Sequence, residues 1–292
     1  MKKVIVGGSI FLVAVLVGVL ARFEGMPPER TCVLCHEIRP ARDGWMQGAH
    51  TNVSCKACHG RSCESPVALT ENLLRVWKHL AKKSHAEFGV THPLDEAQVA
   101  RMSEKCADCH QAEAAHWRRS GHAKPVATFL TNTLHNASWK PSDNCFRCHG
   151  MFLAGDASTI LARTGLSTTW RMVDPEQGRR PAVPCLACHT MHGSHTNALA
   201  FYSRPEKRSY PLSVLHRAAI VDEQGNPVKV SDDPRQKLCM QCHAANAEGH
   251  AGSCDDRTPR GDQEGMSCLD CHSPHGGKPR SERGRCPAKE SL

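Results

Sequence analysis

Seven times in this chain two cysteines stand three positions apart and a histidine follows directly. The motifs are Cys32-Cys35-His36, Cys55-Cys58-His59, Cys106-Cys109-His110, Cys145-Cys148-His149, Cys185-Cys188-His189, Cys239-Cys242-His243 and Cys268-Cys271-His272. C-x-x-C-H is the attachment signature of c-type haem. Two thioether bonds fix the edge of the macrocycle, and the next residue lies under the iron and supplies an axial imidazole. A chain of this composition contains about 0.06 such motifs by chance. Zinc ribbons combine C-x-x-C pairs in fours and have no use for a following His at every pair. A redox dithiol needs one pair in a βαβ setting. The expected cofactor is therefore haem c, seven copies, covalently bound. Cys63, Cys254 and Cys286 fall outside the motifs. A Cys254–Cys286 disulfide with Cys63 odd and three free thiols are both open readings.

The chain has 19 His. Those outside the motifs are enough to give each haem a second axial imidazole. His192 and His275 each lie three residues after a proximal His, in C-H-T-M-H-G and C-H-S-P-H-G-G. That segment lies on the proximal side of its own haem, so these two are expected to ligate a neighbouring haem. His50 and His122 share the frame W-x-x-[GS]-x-H, at Trp45–His50 and Trp117–His122. His135 and His250 sit in polar segments beside motifs, and His195, His116 and His216 are the next candidates. His79, His85 and His92 flank a Lys-rich segment and read as solvated.

The elements that position these residues are expected to be short. Successive motifs begin 23, 51, 39, 40, 54 and 29 residues apart, too irregular for a solenoid. Such gaps leave little room for a conventional core, and apolar haem discs would supply that mass. The expected fold is mainly α with much irregular loop, wrapped around seven covalent haems. It has one N-terminal transmembrane helix and little or no sheet. Val67–Phe88 has helical spacing through Leu69, Leu73, Leu74, Val76, Trp77 and Leu80. Asp95–Ala115 reads as a second helix running into the third motif. Residues 151–183 and 196–235 read as loops with helical pieces, and the tail from Gly276 as mobile. Three regions follow: 1–25, an anchor or uncleaved signal; 26–125, with haems one to three; and 126–292, with haems four to seven.

Lys2 and Lys3 precede Val4–Leu20, 17 residues without a charge. A signal core is about 7–15 residues and a spanning helix about 17–25, so the length favours a retained anchor, although Val19-Leu20-Ala21 resembles a cleavage site. Positive charge before the segment keeps that end cytoplasmic. The expected location is the bacterial cytoplasmic (inner) membrane, single-pass, with the haem domain in the periplasm. Mean hydropathy of −0.45 excludes a polytopic membrane protein. The formal charge is +8. Seven haems bring roughly 14 propionate charges, so the basic residues are local counter-charge and nucleic acid is not an expected partner.

The stretch from the apolar segment through C-V-L-C-H-E-I-R-P-A-R-D-G-W-M-Q-G-A-H-T-N-V-S-C-K-A-C-H-G resembles the NapC/NirT/NrfH family of membrane-anchored multihaem cytochromes. The later S-E-K-C-A-D-C-H and R-R-S-G-H-A segments extend the resemblance over residues 1–125. It implies quinol oxidation near the first haem and electron delivery to a periplasmic partner. Lys78, Lys82, Lys83 and Glu87 fall where that family builds its quinol site, and a solvated helix face is the competing reading. Members of the NrfH type carry Met two residues after the first motif His, where this chain has Ile38. Met46 is a substitute ligand or a packing side chain. The expected function is electron transfer from membrane quinol, or a membrane partner, to a periplasmic redox protein, in one reading as a subunit of a respiratory complex. The alternative is a reductase of nitrite, hydroxylamine or a similar small oxyanion at an open haem.

Overall fold

Residues three apart share one face of a helical turn, so a C-x-x-C pair on such a turn presents both sulfurs to one side. The computed structural model builds its described motifs in this way. It describes residues 2–27, 33, 38–60, 77, 96–138, 140–153, 155–165, 169–189, 191–192, 200–203, 208–211, 224, 226–244 and 256–276. The second motif is the helix Cys55–His59, which Ser54 caps by accepting the Lys56 N–H and which ends at Gly60 with φ 70°. The third closes the helix Glu96–Cys109. The fourth and fifth lie on 3-10 turns, Asp143–Arg147 and Cys185–Ala187. The sixth ends the helix Pro234–His243, capped by Asp233, and the seventh is the helix Cys268–Cys271, capped by Ser267. A polar side chain before the turn satisfies donors that so short a helix leaves open.

The chain divides into two units, Met1–His92 with Met191–His195, and Pro93–Thr190 with Thr196–Leu292. In the first, the helix Lys2–Gly25 precedes the helix Arg39–Met46, which Pro40 starts. Lys56 Nζ reaches the Met26 carbonyl at 3.4 Å, tying the second motif to the end of the long helix. The side chains of Ile10–Val19 in that helix are exposed. Among the described residues no helix is long and apolar enough to cross a membrane. This corrects the expected single-pass location in the inner membrane.

In the second unit, the helix Glu96–Cys109 breaks at His110, with φ −94° and ψ 55°, and Gln111–Arg118 follows as a separate helix. The expected continuous helix over 95–115 is therefore two helices with the motif residue His110 at the joint. The main core cluster is Val126, Leu130, Phe146, Leu153, Ile160, Leu161 and Met172. It packs around the fourth motif, whose Phe146 is 2% exposed. Gly150, with φ +84°, lets the chain turn under this core, where a Cβ would lie 2.9 Å from Leu153 and 3.0 Å from Val126. Among the described residues, sheet is limited to two antiparallel ladders. Leu161–Arg163 pairs with Trp170–Met172 in the register Leu161↔Met172, and Ala200–Ser203 pairs with Arg208–Pro211 in the register Ala200↔Pro211. The fold is mostly helical with irregular loops and little sheet, as expected from the sequence.

Several expectations fall outside the described residues: the first motif Cys32, Cys35 and His36, the quinol candidates Lys78, Lys82, Lys83 and Glu87, and Cys63, Cys254 and Cys286. So do His79, His85, His92, His195, His216 and His250, the tail from residue 277, and all of Val67–Phe88 except Trp77, which is helical and exposed.

Two outcomes follow from this packing. Phe146→Ala destabilises the holoprotein by about 3–5 kcal/mol in urea unfolding, the cost of an unfilled aromatic site. The Asp233 carboxyl is held well below the usual carboxylate range by hydrogen bonds from the Arg235 side chain, then its backbone N–H, then Ser267. A depressed folded value means its contribution is complete above the unfolded value of about 3.9 and is lost as pH falls through the folded one. The stability gap between wild type and Asp233→Asn should be constant from pH 7 to about pH 5 and shrink below about pH 4.

Candidate functional site

Among the described residues, three imidazole pairs lie within the two units, and each joins a motif His to one of the histidines singled out outside the motifs. His59 faces His192 at a ring-centroid separation of 5.6 Å with 12° between planes. His189 faces His275 at 5.9 Å and 18°. His243 faces His122 at 6.2 Å and 39°. These gaps exceed face-to-face contact, about 3.5–4 Å. Two imidazoles bound to one metal through nitrogens at about 2 Å each have centroids about 6 Å apart. The three pairs have that span.

The sequence places these rings by identifiable means. In the Trp117–His122 frame, the Trp117 indole N–H donates to the Val183 carbonyl at 3.0 Å, and the Val183 N–H donates to the His122 carbonyl at 2.9 Å. The frame thus grips the segment that leads into the fifth motif. Ser120 caps the turn Gly121–Ala123 by accepting the His122 N–H. His275 is set by its neighbour Gly276, whose φ is +83°. A Cβ there would sit 2.8 Å from Ser120 Cβ and 3.1 Å from the His116 carbonyl oxygen, so only glycine permits this approach. Burial lowers the pKa of His59, and burial followed by the His59 charge lowers that of His192. Both shifts favour the neutral imidazole, the form that binds a metal.

The other candidates are placed as follows. His50 is half-buried after the helix Arg39–Met46, its carbonyl accepting the Val53 N–H at 2.9 Å. His135 lies in the helix Thr133–Ser138 with Nδ1 3.2 Å from Asn136 Oδ1. His110 Nδ1 lies 4.0 Å from Glu113 Oε2. His149 meets the edge of Phe129 at 5.1 Å, a contact that nothing in the sequence signals. His116 is exposed, as are Ile38 and Met46, 39% and 52% accessible.

The residues present fit haem c. The twelve described motif cysteines are free of disulfides. Among the described residues, no three His, Cys, Asp or Glu converge as a metal cage. Among the described residues, the buried donors without a hydrogen-bond partner include Nε2 of the fully buried Gln236 and Nε of Arg180. Gln236 lies against the seventh motif, its Oε1 accepting the Cys268 N–H at 2.7 Å. Arg180 lines a cavity of about 340 Å³ with Trp117, Arg118, Met151 and Pro184. Buried donors without partners are costly, and haem propionates are acceptors that would satisfy them.

The comparisons with known proteins agree with this chemistry. Residues 105–190, less than a third of the chain and spanning the third to fifth motifs, match the family described as cytochrome c554 and c-prime. No curated protein and no solved structure matches the chain. The match and the motifs together support a c-type cytochrome with covalently bound haem c and a role in electron transfer.

Proposed function

We propose that this chain carries seven haems, one on each C-x-x-C-H motif, and relays electrons between a donor and a protein redox partner. The observation that carries this reading is the set of three imidazole pairs at 5.6, 5.9 and 6.2 Å. Two nitrogen ligands would hold an iron six-coordinate and low-spin, and the protein then acts through ligand identity, burial and nearby hydrogen bonds. In this reading His59 and His192 serve the second haem, His189 and His275 the fifth, and His243 and His122 the sixth. His50 and His135 are proposed as further distal ligands. The haem supplies the one-electron chemistry. The chain holds each centre in place, withholds open coordination positions from the paired sites and shields them from water. The partner is a redox protein docking through a small polar surface, suited to transient contact.

His275→Ala should leave all seven covalent haems in a pyridine haemochrome count and convert one low-spin signal to high-spin in EPR of the oxidised protein. His122→Ala should do the same at a different haem. An unchanged low-spin population in both variants would overturn the pairing. Cys106→Ala should reduce covalent capture of the third haem, read as lost haem staining after denaturing electrophoresis.

A further inference from the structure

The motifs of the second unit are not evenly dispersed. The helix Glu96–Cys109, which carries the third motif, packs on the turn Cys185–Ala187 of the fifth, and the Cys106 and Cys185 thiols are hydrogen-bonded. On the other side of that turn, Ala187 and Cys188 share an apolar cluster with Leu238 and Cys242 of the sixth-motif helix. Met151 and Phe152, which follow the fourth motif after Gly150, belong to the same cluster. The seventh motif meets the fifth through the His189–His275 pair. It is also clasped to the sixth. Ser267 Oγ donates to Asp233 Oδ2 at 2.9 Å, and the Cys268 N–H donates to Gln236 Oε1.

We propose that the fifth motif is the junction of the haem path in this unit, with the third, fourth, sixth and seventh attachments gathered around it. The inference rests on the relay reading and adds an order in space to it. Electron exchange between neighbours makes and breaks no bond; one centre is oxidised as the next is reduced. Its rate falls steeply with edge-to-edge distance, so the motif that touches the most others carries the most traffic. Cys185 and Cys188 are the attachment residues of this junction. His275 is a positioning residue on the chain that couples the seventh motif to it, and Gly276 fixes that residue's approach.

The test is the magnetic interaction between oxidised haems, which depends on the same proximity. Cys185→Ser/Cys188→Ser should remove one haem, leave six by pyridine haemochrome, and shift the EPR signals of at least two of the six. Cys268→Ser/Cys271→Ser, at the end of the path, should shift fewer. Should the double variants misfold, His275→Ala keeps every haem attached and changes only the spin state of the fifth. Its fast-relaxing high-spin iron should alter at least two neighbouring signals. Remaining signals that superimpose on wild type in both experiments would overturn the junction. This outcome is separable from failure of the relay reading, which would appear as wild-type haems that no protein partner reduces or oxidises.

Discussion

A separation of about 6 Å between imidazole rings that are distant in sequence is the constraint around which this fold is arranged. In the proposed haem sites, one side is settled locally by two cysteines on a single turn and a histidine beside them. The other side has to be brought in by tertiary structure. The described architecture does this with small devices rather than with a large core. An indole N–H and a carbonyl grip Val183 from the Trp117 frame. A glycine with φ +83° brings the chain against Ser120. A carboxylate links the caps of two motif helices.

The apolar interior agrees with this economy. Among the described residues, the main cluster is seven buried residues around the fourth motif, and the other two contain two buried residues each. In such a protein the cofactors are structural as much as functional, since each brings a large apolar surface to the place where side chains are sparse.

Much of the chemistry is legible in the sequence because it is encoded at fixed short spacing. C-x-x-C-H names its cofactor within five residues, and C-H-x-x-H marks His192 and His275 as reaching beyond their own motif. The recurrence of Trp and His in one frame singles out His122. What these spacings do not carry is which ring meets which, since His122 and His243 become neighbours only through packing of distant segments. The break at His110, the two short ladders and the Phe129–His149 contact also lie beyond pattern, because they are settled by tertiary contacts. The long N-terminal helix shows the opposite failure: an uncharged run suggests a membrane span, whereas no described helix is long and apolar enough to be one.

The pairing of His189 with His275 also bears on the order in which the protein can be completed. A chain emerges from its N-terminus, so the fifth motif is synthesised well before the seventh. In the proposed ligation, until the seventh has followed, the fifth has its attachment cysteines and one imidazole, and its second imidazole does not yet exist. The sixth motif differs, because His122 precedes it and is already present when His243 appears. In the proposed ligation the fifth site thus gains its second imidazole only once the seventh motif has been made, whereas the sixth has both of its imidazoles as soon as its own motif is complete.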